Sequence, residues 1–180
     1  MNYKSLENKY TPIIQKIIDD NKKFYGFESA INWQFFVDQD VRLIATANSK
    51  LELRINIISV DYAYQKNEPF MIEFFILHEI RHLYQRYCAY LLEKDNGPPN
   101  IQLATIYKSE FANYCNIYKN REIYYTQQVE FEAFIFSYAV MRYKYGDIKY
   151  IKYPEFYDEQ NIDVKKHIEY WFKIFKAQNL

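Results

Sequence analysis

Residues 74–87 read FFILHEIRHLYQRY. The stretch carries His78-Glu79-Ile80-Arg81-His82, an H-E-x-x-H pattern, inside a run with the apolar content of a buried helix. Four residues apart on a helix, His78 and His82 leave the same face. Two imidazole nitrogens placed in this way can meet one metal ion at about 2.0–2.1 Å each. Glu79 lies about 100° round the helix from His78, beside the pair rather than behind it. That offset suits a group that takes a proton from an activated water better than it suits a ligand.

A catalytic zinc keeps three protein ligands and leaves one place open, so two donors from one helix are not enough. His167 is the only other histidine, and it has no acidic or histidine partner at ligand spacing. Carboxylates serve better, and the stretch QQVEFEAFIFSYAVM, residues 127–141, offers Glu130 and Glu132. They stand about 200° apart on a helix, so only one of them can face a given ion. Glu130 shares a face with Ala133, Phe134 and Ser137, and the small Ala133 allows close approach of a second helix. The residues alone leave the choice between the two acids open.

Working outward, residues 4–24 have Leu6, Ile13, Ile14, Ile17 and Ile18 near helical spacing, with Pro12 having to kink or start that helix. Residues 32–64 change character. WQFFV, VRLIATA and LELRINIISVDYAY are rich in β-branched and aromatic residues and partly alternate, with DQD and ANSK as turns. They predict a small antiparallel sheet of about three strands. Pro69 suits the first turn of the histidine helix, which should run to about Lys94 and stop before DNGPPN. Helices follow near residues 102–118, 126–145 and 162–177, the second of these ending on Gly146. The order predicts an α+β fold in one domain spanning residues 1–180.

Composition limits the alternatives. Aromatic residues make up 20% of the chain and apolar residues 49%, enough to build a core rather than a disordered segment. With 3 glycines there is no Gly-rich phosphate loop. Lys+Arg 23 against Asp+Glu 23 leaves none of the basic excess that phosphate neutralisation calls for, so no nucleic-acid partner is expected. The two cysteines, Cys88 and Cys115, read as buried reduced thiols, with one disulfide between them as the alternative. The polar start MNYKSLENKY has no signal-peptide core, and no apolar run approaches membrane-spanning length, so a cytoplasmic protein without a membrane partner is expected. The C-terminal segment DVKKHIEYWFKIFK puts Val164, Ile168, Trp171, Phe172 and Phe175 on one stripe. Packing against its own domain is the better reading of that stripe.

HEIRHLYQ followed by Glu130-Phe131-Glu132-Ala133 resembles the small bacterial and phage HExxH metallopeptidases. These include the ImmA/IrrE-type peptidases and related proteins with HE-x-RH-x-YQ and a later E-x-[DE]-A helix. The resemblance spans about residues 50–140. In such families the first Glu of the later segment completes a zinc site. Carried to this chain, it implies His78, His82 and Glu130 as ligands of Zn²⁺ and Glu79 as general base, in a minimal zincin-like fold. Relatives often carry Pro two residues before the ligand Glu, where this chain has Gln128. Longer members often carry an orienting Asp four residues after it, where this chain has Phe134.

The implied activity is hydrolysis of a peptide bond in a protein substrate. The ImmA/IrrE-type resemblance suggests one specific regulator as that substrate. The alternative from a different class is a non-catalytic, metal-stabilised regulatory or interaction module. Three further expectations accompany the site. Arg81 either holds a carboxylate or is a solvated or ion-paired helix residue. Gln85 more simply covers the helix surface than lines a cleft. The strand INIISVDYAY either sits at a sheet edge, where a peptide can pair with it, or lies in the sheet interior.

Overall fold

The computed structural model describes residues 2–26, 30–146, 154–160 and 162–180. The chain forms two compact units, Met1–Leu83 and Tyr84–Leu180.

In the first unit, helix α1 (Tyr3–Asn21) opens the chain, with Asn2 as its N-cap. The Asn2 side-chain oxygen accepts from the Ser5 N–H at 3.3 Å, which satisfies one of the amides a helix start leaves open. Pro12 lies inside α1 rather than starting it. Three strands follow: β1 (Asn32–Phe36), β2 (Ala45–Ala47) and β3 (Glu52–Asn56), in the order β1-β3-β2. β2 runs antiparallel to β3, as the short ANSK turn requires, but β1 runs parallel to β3. The sheet is therefore mixed, not antiparallel. A parallel pair needs a connection that crosses back, and here the eight residues after β1 together with β2 itself provide it.

The third predicted strand is also too long. β3 ends at Asn56, and Ile57–Gln65 form helix α2. Asn56 turns the chain: its side-chain oxygen accepts from the Ile58 N–H at 3.2 Å, and its amide nitrogen donates to the carbonyls of Asp38 and Asp40 and to Ser59 Oγ. The run of β-branched residues that suggested strand is instead spaced for burial in a helix, with Ile57, Val60, Asp61 and Ala63 buried. α1 is tied to α2 by the Tyr10 hydroxyl, which donates to Asp61 Oδ1 at 2.7 Å. Helix α3 (Pro69–Glu93) begins at Pro69 as expected. Asn21, at the end of α1, donates to Glu73 on α3 at 2.8 Å. Tyr10, Ile14, Leu53, Ile55, Ile57, Val60, Ile72, Ile76, Leu77 and Ile80 are buried and make the apolar interior of this unit.

In the second unit, the last part of α3 packs with α4 (Ile101–Ala112) and α6 (Gln128–Tyr145) through Cys88, Ala89, Ala104, Tyr107 and Val129. The break at DNGPPN falls as predicted, with Asp95 and Gly97 at positive φ and Asn100 capping α4. α4 stops at Ala112, short of the expected Tyr118. A short helix the sequence reading missed, α5 (Arg121–Thr126), starts on Asn120, whose side chain accepts from the Ile123 N–H. α6 ends on Gly146 at φ 75°, as expected. Another short helix, α7 (Glu155–Glu159), precedes α8 (Val164–Ala177). Val164, Ile168 and Phe175 of α8 are buried, and Phe136 of α6 meets Trp171 edge-on at 5.2 Å between ring centres. The apolar stripe of α8 thus packs within its own unit. Both cysteines are free thiols; Cys88 is buried, whereas Cys115 is only half-buried. Among the described residues no helix is long and apolar enough to cross a membrane.

Candidate metal centre

The apolar positions of α3 fix which way its histidines point. Ile72, Ile76, Leu77, Ile80 and Leu83 are buried, which anchors the helix and presents His78 and His82 together one turn apart. Both imidazoles are buried, at 3% and 6% exposure. Their Nε2 atoms face each other at 3.1 Å, with the ring planes near perpendicular at 88°. Two ring nitrogens this close cannot both present lone pairs to one another. Either one shared proton or one cation must lie between them.

The cation fits. Bonds of about 2.05 Å to both nitrogens would subtend an angle of about 98° at the ion for the observed 3.1 Å separation, near the tetrahedral value. Glu79 stands beside the pair, as its position on the helix requires. Its Oε1 is 4.0 Å from His78 Nε2, and its side chain is 14% exposed. Its Oε2 accepts from the Ala47 N–H of β2 at 2.7 Å. That bond fixes the carboxylate rotamer and ties the sheet to α3. His78, Glu79 and His82 together offer three ligand-type atoms, all within 4.8 Å of one another.

Glu130 belongs to the second unit, in the first turn of α6. It is 1% exposed, and the Tyr114 hydroxyl donates to its Oε1 at 2.6 Å. Glu132, the other acid of the segment, is engaged differently. Its Oε2 accepts from the Tyr107 hydroxyl and from Gln85 Nε2. Gln85 also donates to the Val129 carbonyl at 3.1 Å. It is fully buried, so it does not cover the helix surface as expected. Its two bonds tie the first turn of α6 to the part of α3 that lies in the second unit. Arg81 is buried at 7% exposure, which removes the solvated reading. His167, on α8, forms a T-shaped pair with Phe131 at 4.9 Å between ring centres.

The strand before the histidine helix is interior: β3 is hydrogen-bonded on both sides, by β1 and by β2. The sheet edge that reaches the candidate centre is β2. Sequence reasoning missed Ala47, Tyr107, Glu110 and Tyr114. A backbone amide leaves no mark in a sequence. The three side chains do share a spacing of three and four residues, the signature of one helix face. Compared with protein-family models, with curated proteins and with solved structures, the chain matches none.

Proposed function

We propose that this chain is a zinc-dependent metallopeptidase with a minimal zincin-like fold, in which His78, His82 and Glu130 hold Zn²⁺ and Glu79 is the general base. The observation that carries the reading is the buried Nε2 pair at 3.1 Å with a fixed carboxylate beside it. When bound, the ion would supply a Lewis acid that acidifies water and polarises a scissile carbonyl.

The remaining steps fall to the chain's own groups. Ala47 N–H holds Glu79 Oε2, so Oε1 is the atom that takes the proton from the attacking water. The same oxygen then returns it to the leaving amine. His78 and His82, being buried, keep bulk water from competing at the centre. The outer edge of β2 offers backbone groups to which an extended peptide can add. By analogy with the resembling peptidases, the substrate is one specific regulatory protein.

Glu79→Gln tests this reading. Gln keeps an oxygen for the Ala47 amide and loses the basic site. Zinc content should stay at the wild-type level while cleavage of an unfolded protein or peptide library falls by about 10²- to 10⁴-fold. Wild-type turnover in Glu79→Gln would overturn the assignment.

A second reading has its own support. The Ala47–Glu79 bond joins β2 to α3 and could be structural in purpose, in a metal-stabilised module without turnover. Such a module would bind zinc equally well and cleave nothing, with or without Glu79.

A further inference from the structure

Resting on the ligand set just proposed, we infer that Tyr114 is a positioning residue for Glu130, and that one face of α4 with its continuation sets the first turn of α6 for that role. Tyr107 and Glu110 are three residues apart, about 60° from one another on the helix. Tyr107 and Glu110 lie on α4, and Tyr114 lies just past its end. Each reaches a different residue of the first two turns of α6.

Glu110 accepts from the Gln128 and Val129 N–H groups, both at 2.9 Å. It thereby caps the start of α6, whose own N-cap residue, Gln127, makes no capping bond. The Gln127 side chain is committed elsewhere, to the N–H and carbonyl of Cys115, next to Tyr114. Tyr107 donates to Glu132. Tyr114 donates to Glu130 Oε1 at 2.6 Å.

The consequence is specific to Glu130. A carboxylate with 1% exposure needs hydrogen-bond donors in place of water. A phenol donating at this distance supplies one and fixes the rotamer. It also engages Oε1 and so holds the carboxylate in one orientation, in which Glu130 would serve as an oxygen ligand. Groups that hold a ligand from behind in this way are commonly worth about 10- to 100-fold in metal affinity.

The test is chelator-competition titration of Zn²⁺, with Co²⁺ absorption spectra, on the whole chain. Tyr114→Phe removes the hydroxyl alone, from a side chain that is 38% exposed and so tolerant of the change. Its zinc affinity should fall about 10- to 100-fold, with an altered Co²⁺ ligand-field spectrum, a loss larger than the small drop in thermal midpoint that the missing hydrogen bond brings. Tyr114→Phe at wild-type affinity and spectrum, while Glu130→Ala loses affinity, would overturn the role of Tyr114 alone. Glu130→Ala at wild-type affinity would overturn the ligand assignment beneath it, and the inference with it. A Tyr114→Phe chain whose affinity loss merely tracks a lowered midpoint would also overturn the proposal, since packing alone would then account for it.

Discussion

Asn56 is fully buried, and replacing it by Ala should unfold the first unit far more readily than a one-residue truncation suggests. Its oxygen accepts from Ile58 N–H and Asp38 N–H, both at 3.2 Å. Its nitrogen donates to Asp38 O at 3.0 Å, Asp40 O at 3.3 Å and Ser59 Oγ at 2.8 Å. Loss of the helix cap costs about 1 kcal/mol. The remaining bonds, at about 1 kcal/mol net for each good one, bring the total to about 3 kcal/mol. In urea, with a slope of about 2 kcal/mol per molar, the midpoint should drop by about 1.5 M. The thermal midpoint should fall by about 6–12 °C for a chain of this length.

Asn56→Asp separates the contributions. Aspartate is as good a cap, but it turns the donor that faces two carbonyl oxygens into a third acceptor. Asn56→Asp should therefore destabilise at least as much as Asn56→Ala. The measurement is urea unfolding followed by far-ultraviolet circular dichroism. A loss below about 0.5 kcal/mol in Asn56→Ala, or a wild-type midpoint in Asn56→Asp, would refute the view that the donor bonds hold this corner.

Three other outcomes are expected. The Tyr157 hydroxyl is buried with no hydrogen-bond partner among the described residues, and burial, with the charge of Glu130 second, pushes that phenol well above its ordinary pKa. Tyr157→Phe should therefore leave stability unchanged or raise it by about 1 kcal/mol, read from urea midpoints. Gln85→Leu removes the donor to the Val129 carbonyl and to Glu132; it should cost about 2 kcal/mol, read by the same unfolding. A Cβ at Gly146 meets nothing within 4 Å, but its φ of 75° with ψ of −157° is a conformation other residues strongly avoid. Gly146→Ala should cost about 1–3 kcal/mol from backbone strain alone, and an unchanged midpoint would show that the α6 end simply readjusts.

Much of this fold is written in local signals. Pro69 and DNGPPN bound the histidine helix, and Gly146 closes α6, because these residues act through their own backbone preferences. The histidine pair was legible for the same reason: a spacing of four on a helix converts directly into a shared face. The misreadings have a common cause in what lies far away in sequence. Residues 57–65 carry strand-type side chains, yet Asn56, bonded to Asp38 and Asp40, turns them into α2. The parallel sense of β1 depends on which side of β3 each strand joins, and side-chain pattern says nothing about that. Gln85 looked like a surface residue because its partners, Val129 and Glu132, are more than forty positions away. The grip of Tyr114 on Glu130 was hidden among 20 tyrosines, most of which pack.

The most direct test of the account is zinc X-ray absorption on chain loaded with one equivalent of zinc. Two imidazole nitrogens at about 2.0–2.1 Å, with the remaining shell made of oxygen, are predicted. The same shell stripped of one imidazole is expected in His82→Ala. A shell containing sulfur at about 2.3 Å, from Cys88 or Cys115, or one lacking the imidazole signature in the wild type, would contradict the central claim.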